Sequence, residues 1–530
     1  MALPSHDRYA GMSPFELKDR LVELATECTR LHARLLLDAG RANPDWLALE
    51  PREAFVELER FALGEARACS LGHGLGGHPQ APGIAARMLA ATAVRLPGAA
   101  LLREAVDFGQ RQLGIDADAF VHELTLGVLG VNYPAPPRIL PGVERVMRAY
   151  LDRELCRGEP PSATLHLFAT EGATAGICYV FQSLVANRLL GHGERVAIGT
   201  PVFSPYLEIP RLEAYGFDVV RIAADEDADW QYPDAEIDKL ADPRVRALFL
   251  VNPGNPTSVA IGAPALERIA RLVRSRRPDL IVISDDVYAP YADGFRSLAA
   301  VLPHNTITVY SLSKYFGCTG WRLGLVGMRE DNVVDAQLAR FVRQEREAVA
   351  SRYASVCADP AGLRFIDRMV ADSRAVALNH TAGLSTPQQV QMALFALHAL
   401  LEPDAAAYRT LARGVVHARL AALYEGLGLP VPAGALHTDY YATLDLLRLA
   451  RSLYGEEFAA SLARSRHPLD VVFDLAREHA TVVLPGAGFE APDWSIRVSL
   501  ANLPAAAYRE IGASLRGLLG HYRAPAAASA

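Results

Sequence analysis

Lys314 stands in the run Ser311-Leu312-Ser313-Lys314-Tyr315-Phe316-Gly317-Cys318-Thr319-Gly320-Trp321-Arg322, just after an apolar, β-branched stretch from Thr306 to Tyr310. A lysine forms a reactive imine only when it is partly unprotonated and set beside a carbonyl, which calls for a cationic, enclosed setting and a flexible approach. Gly317 and Gly320 lie just beyond it. A lone lysine after a strand is usually a surface residue, and it is the neighbours that change the reading. Arg322, with Ser311 and Ser313, offers the charge and hydroxyl donors that hold a phosphate dianion. Gly172-Ala173-Thr174, opening a helical pattern, would supply the other half of such a cradle through free N–H groups and the helix dipole. Taken singly that triplet is a weak signal. Asp285 and Tyr288, after Leu280 to Ser284, suit a carboxylate paired with a pyridinium nitrogen and a phenol donating to a ring oxygen. Asn255, in Asn252-Pro253-Gly254-Asn255-Pro256-Thr257, can reach the same oxygen.

The elements that must position these groups are visible between about 165 and 330. Short apolar runs alternate there with helical patterns: Arg195 to Ile198, Asp218 to Ile222, Ala247 to Val251, Leu280 to Ser284, Thr306 to Tyr310 and Leu323 to Val326. This alternation predicts a mostly parallel sheet covered by helices, an α/β class, with ligands at the carboxyl ends of the strands. The chemical residues follow these runs. Upstream, apolar spacing from Phe15 to Ala39 predicts an amphipathic helix opened by Ser13-Pro14 and ending near Gly40, and a second helix spans Pro51 to Ala68. Four glycines and a proline make Gly72 to Pro79 a loop. His73 and His78 in that loop have no Cys or carboxylate ligand nearby and read as structural, so no metal site is expected.

From about 329 to 379 the chain is helix-rich and charged, with Arg340, Arg343, Arg346 and Arg352 among acids, which reads as a solvated or inter-subunit helical insertion. Thr386 is expected to cap a helix running through Leu397, with Pro387 first and Gln389 completing a capping box. Strand candidates Ala442 to Leu446, Thr481 to Leu484 and Ile496 to Leu500, mixed with helices, suggest a smaller α+β domain. The expected division is 1–150 as N-terminal arm and part of the small domain, 151–385 as the large ligand-binding domain, 386–523 as the small domain, and 524–530 as a disordered tail.

The 530 residues, 51% hydrophobic and 21% charged, can bury a sizeable core, and no internal repeat is evident. A formal charge of -7 with no long basic run argues against a nucleic-acid partner. Six cysteines lie far apart without a C-x-x-C pair, against a zinc site or disulfide framework. No signal peptide or apolar run long enough for a membrane span is present, so a cytoplasmic enzyme acting on a small molecule is expected.

The order Gly-x-Thr, Asn-Pro-x-Asn-Pro-Thr, Asp-x-x-Tyr and Ser-x-Ser-Lys, with an arginine eight residues after the lysine, resembles the fold type I pyridoxal 5'-phosphate enzymes of the aspartate aminotransferase superfamily. The resemblance implies pyridoxal 5'-phosphate bound to Lys314 as a Schiff base. It further implies Asp285 at the pyridinium nitrogen, Tyr288 and Asn255 at the ring oxygen, and Ser311, Ser313, Arg322, Ala173 and Thr174 around the phosphate. Phe203, in Pro201-Val202-Phe203-Ser204-Pro205-Tyr206, takes the place of the aromatic residue stacked on the ring, or is a core aromatic after a strand. Arg497, in Ser495-Ile496-Arg497-Val498-Ser499, matches the arginine that forks onto the substrate α-carboxylate, with Asn255 beside it.

Within that superfamily, Ser13 to Lys18, Ala39 to Trp46, Val131 to Pro134, Phe168 to Thr174 and Pro201 to Pro210 look like the aspartate 4-decarboxylases, which convert L-aspartate to L-alanine and carbon dioxide with a transamination side reaction. In the implied reaction Lys314 moves a proton from the substrate Cα to the cofactor before the distal carboxylate leaves. Arg41 and Tyr133, with Lys18 as a third candidate, are expected near that carboxylate. Arg41 can equally be a surface arginine ending a helix, and Tyr133 a plain turn residue. In the family a tyrosine of this region reaches the neighbouring subunit's phosphate, which implies a homodimer or a larger assembly of dimers. The rivals are an aspartate-type aminotransferase or a relative acting on another amino acid in specialised metabolism, a transcription regulator, for which no DNA-binding segment is present, and a catalytically dead relative, against which the full cofactor set stands.

Overall fold

The computed structural model describes residues 9, 12–32, 35–92, 97–374, 376–402 and 407–523. The tail expected to be disordered, 524–530, lies outside these. A seven-stranded sheet forms the centre: β1 (Leu165–Thr170), β2 (Arg195–Thr200), β3 (Asp218–Ala223), β4 (Val245–Val251), β5 (Ile281–Asp285), β6 (Thr306–Ser311) and β7 (Gly324–Arg329), in the order β1-β7-β6-β5-β4-β2-β3. Only β7 runs against its neighbours. The six runs expected from sequence are all strands here, joined by β1. Alternate residues explain why both faces must be covered. Ala247, Phe249 and Val251 of β4 pack in one cluster with the helix Ala173–Ala186. Leu248 and Leu250 pack with the helix Ala263–Arg276 on the other face.

A three-stranded antiparallel sheet lies toward the C-terminus: β8 (Tyr441–Asp445), β9 (Leu484–Pro485) and β10 (Ser495–Ser499), in the order β9-β10-β8. Its apolar face shares a core with Leu17, Leu21 and Leu24 of the first helix, Pro14–His32. That helix opens at Ser13, whose amide and hydroxyl exchange hydrogen bonds with Glu16. It ends at His32, well short of Gly40. Leu37–Asp38 is instead extended and pairs in parallel with Thr481–Val482, because Leu37 and Ala39 are buried on the C-terminal core through strand pairing.

The helix after Leu384 runs Thr386–Leu401, and its capping box is formed by Ser385 and Gln388, one residue earlier than the spacing suggested. Gln389 is turned inward, where its side chain accepts from the Leu140 amide and donates to the Leu384 carbonyl. Pro387 thus takes the second helical position, where its missing N–H costs nothing. The charged insertion is also less solvated than its composition suggests. Arg343 to Ala348 are exposed, but Phe365, Ile366, Met369 and Val370 of the helix Phe365–Asp372 pack into the cluster that covers the sheet.

Candidate active site

The chemical residues gather because the strands end together. Asp285 closes β5 and Ser311 closes β6, while Gly172, Phe203, Asn255 and Lys314 follow β1, β2, β4 and β6 by two to four residues. With Arg497 from β10 they line one cavity of about 350 Å³, which also receives Ala173, Thr174, Tyr288, Ser313 and Arg322.

Lys314 is half-buried, and its Nζ donates to the Ala42 carbonyl at 3.0 Å. Burial, and then the Arg497 and Arg322 guanidinium groups, bring its amine down to about 8. A useful fraction is therefore unprotonated near neutrality. Asp285 moves the other way: burial raises it to about 6, against the Tyr206 hydroxyl donating to its Oδ2 at 2.8 Å and the Val287 amide at 3.3 Å. Among the described residues no guanidinium or ammonium hydrogen-bonds to it, so it has a place for a cationic ligand nitrogen.

Arg497 is completely buried. Its Nη1 donates to Asn255 Oδ1 at 3.1 Å and its Nη2 to the Gly40 carbonyl at 2.9 Å, while Nε has no partner. The guanidinium lies between the Tyr441 and Phe489 rings, 4.6 and 4.7 Å from their centroids. Among the described residues no carboxylate pairs with it, which leaves a fork suited to an anion. Tyr288 shares a 2.7 Å hydroxyl contact with Tyr441.

The end of the cavity near Arg322 is shaped by two glycines. Gly172 has φ +97°, and a Cβ there would fall 2.5 Å from Arg322 Nη2; one on Gly324 would fall 2.4 Å from the Gly172 carbonyl carbon. No side chain caps the helix that starts at Ala173, so its first amides remain free. Ser311 Oγ donates to the Leu323 carbonyl at 3.0 Å and lies 2.9 Å from Ser313 Oγ, and Arg322 Nη2 donates to the Glu171 carbonyl. These backbone amides, hydroxyls and the guanidinium are donors of the kind that fit a dianion.

Three of the expected residues lie outside the cavity's lining. Lys18 packs its stem against Gly40, whose carbonyl holds Arg497. Arg41 points outward, 60% exposed, and pairs with Asp38 at 3.1 Å. Tyr133 is 69% exposed in a separate surface groove formed by 130–134 and 380–387. Conversely, Phe15, Ala42, Tyr206 and Tyr441 line the cavity without having been singled out. Tyr206 stands three residues after Phe203, at the spacing that puts both on one face of a helical turn, and the rings meet edge to face at 5.1 Å. Nothing local marks Ala42, which contributes only its carbonyl.

The family described as Aminotransferase class I and II matches residues 167–515. The chain belongs to the class I and II aminotransferase family. It is 45% identical over 513 residues, 96% of each chain, to a Pseudomonas sp protein named bifunctional aspartate aminotransferase and L-aspartate beta-decarboxylase. It is 28% identical over 243 residues, 44% of its length and 60% of the other's, to an aspartate/prephenate aminotransferase of Thermus thermophilus. The solved aspartate aminotransferase of Rhizobium meliloti superposes with a TM-score of 0.61 at 18% identity, covering 98% of this chain and 99% of that one, a likeness of fold. As a class I and II aminotransferase, the protein is an enzyme that works with pyridoxal 5'-phosphate, and the cavity-lining lysine, the acid lacking a cation and the glycine-floored cradle fit that group.

Proposed function

We propose that this enzyme removes the β-carboxylate of L-aspartate, releasing L-alanine and carbon dioxide, and also transaminates aspartate. The observation that carries this is the reach of the 45% identity. It extends over 513 residues, whereas the family match begins only at residue 167, so it includes the N-terminal region that supplies Ala42 and Gly40 to the cavity.

Bound pyridoxal 5'-phosphate supplies an electron sink for the pair left when a bond at the substrate's Cα or β-carbon breaks. The rest falls to the chain's own side chains. Ala173, Thr174, Ser311, Ser313 and Arg322 would hold the phosphate, and Asp285, oriented by Tyr206, would pair with the ring nitrogen. Tyr288 and Asn255 would serve the ring oxygen, and Phe203 would stack on the ring. Arg497 takes the α-carboxylate on its fork. Lys314, freed from the Ala42 carbonyl, has a basic Nζ that would take the substrate's Cα proton and later give it back to Cα, while the β-carbon would take up a proton in place of the departing carboxylate. Lys18, whose stem packs against Gly40, and Arg41, which would have to leave Asp38 and turn inward, are assigned to the distal carboxylate, where loose holding favours departure over a stabilised ground state. Tyr133 is assigned to the phosphate of a partner subunit in a homodimer or larger assembly, a reading that its exposure supports.

The same reading divides the chain into a large cofactor-binding unit and a smaller C-terminal unit carrying the first helix. It places the protein in the cytoplasm, where its cysteines, all unpaired among the described residues, would stay reduced. Incubating purified holoenzyme with L-aspartate and no keto acid tests the reaction. Alanine and carbon dioxide in equal, stoichiometric amounts are expected, and turnover only on addition of a keto acid would leave an aminotransferase alone.

A further inference from the structure

Glu171 directly precedes the phosphate cradle and is held from both sides. Its main-chain oxygen accepts from Arg322 Nη2 at 3.2 Å. Its carboxylate accepts from Arg374 Nη2 at 2.5 Å and from the Tyr179 hydroxyl at 3.1 Å, and Arg374 Nη1 reaches the same hydroxyl at 3.1 Å. Arg374 comes from the charged insertion, two residues after Asp372, the last residue of the helix Phe365–Asp372. Asp372 is buried and accepts from the Ser183 and Tyr353 hydroxyls at 2.9 and 2.8 Å and from Arg352 Nε at 2.8 Å. Ser183 and Tyr179 both belong to the helix whose first turn faces the phosphate. The insertion therefore grips this helix along its length and grips the residue that leads into it.

We propose that Arg374 is a positioning residue for the cofactor phosphate, and that the insertion acts by holding Glu171 so that Arg322 and the first amides of the helix are preset for the dianion. The physical reason is economy of ordering. Arg322 has a left-handed backbone, φ +56°, and only carbonyl acceptors, those of Thr319 and Glu171. The Nη2 edge of its guanidinium is held only as firmly as the Glu171 backbone is. Without the Arg374 clamp the cradle must be ordered when the ligand binds, which lowers affinity without altering the groups that touch substrate.

This inference rests on the assignment of Arg322 to the phosphate, so Arg322→Ala is measured alongside. The readout is the dissociation constant of pyridoxal 5'-phosphate for the apoenzyme, from titration of the lysine-bound cofactor's visible absorbance. Arg374→Gln and the isosteric Glu171→Gln are each expected to weaken it about tenfold. The double variant should be no weaker than either single one, because the two residues act as one unit. Arg374→Lys should recover part of the loss, and KM for aspartate at saturating cofactor should not change. Tyr179→Phe, which deletes one hydroxyl, provides a mild variant if the charge changes impair folding, with a loss of about threefold expected. An unchanged dissociation constant in Arg374→Gln and Tyr179→Phe, or losses that simply add, overturns the proposal while a weakened Arg322→Ala keeps the site assignment. If Arg322→Ala binds as tightly as the parent, the site assignment fails first.

Discussion

Lys314 and Asp285 are each pushed toward their neutral forms by burial, and this has a measurable cost. The Lys314 amine sits near 8 in the folded chain against about 10.5 for a free lysine. Burial disfavours its ammonium form, so the unfolded chain binds the extra proton between these values and apoprotein stability rises with pH across that window. The penalty is fully present below pH 8. Lys314→Met should accordingly stabilise the apoprotein by on the order of 3 kcal/mol at pH 7, with the gain fading toward pH 10.5, as read by denaturant unfolding at both pH values. The same substitution should abolish turnover. Tyr206 works in the opposite sense on Asp285, since its hydroxyl favours the carboxylate against burial. Removing it in Tyr206→Phe should raise the Asp285 pKa further, move the acid limb of kcat/KM upward and lower kcat roughly tenfold, the scale of one hydrogen bond to a charged group. An unshifted limb would show that Asp285 does not depend on this tyrosine.

At the scale of elements, the site depends on where strands and helices stop. Gly172 links β1 to the helix Ala173–Ala186 at φ +97° with Arg322 packed against it. Gly172→Ala both strains that backbone and pushes on the guanidinium, so it should release cofactor more than tenfold faster during dialysis, an order-of-magnitude expectation for a cost of about 1–3 kcal/mol. The capping box of Ser385 and Gln388 matters for the scaffold instead. Ser385→Ala should cost about 1 kcal/mol of stability and leave cofactor affinity unaltered. The β strands were legible because buried, alternating β-branched runs have few other uses. The capping box was misplaced by one residue because Ser385, Thr386, Gln388 and Gln389 offer two equivalent boxes locally, and only the burial of Gln389 against Leu140 chooses between them.

For the whole molecule, the N-terminal strap joins parts distant in sequence. Gly40 and Ala42 place carbonyls on Arg497 and Lys314, the Asp45 carboxylate accepts from Arg419 at 2.7 Å, and Trp46 donates to the Tyr315 carbonyl at 3.3 Å. Tyr133, by contrast, meets His380 edge to face at 5.4 Å on an exposed surface. If it serves a partner's phosphate, the working enzyme is at least a dimer. Sedimentation velocity at micromolar concentration should show a dimer or a multiple of one, and a monomer with full activity would remove Tyr133 from the site.

The sequence by itself carried the cofactor chemistry, because the Gly172 turn, Asn255, Asp285 and Lys314 each stand at or just after the end of a strand of one sheet, with Arg322 eight residues beyond the lysine, and their types and order survive in one dimension. Arg497 and Phe203 were indicated by the family resemblance. Only the tertiary structure decided what surrounds them: the Tyr206 hydroxyl on Asp285, the Ala42 carbonyl on Lys314, the outward turn of Arg41 and the grip of Arg374 on Glu171. Such contacts arise between segments separated by up to 457 residues, as between Gly40 and Arg497. Several use main-chain atoms that every residue carries, so no residue type could announce them.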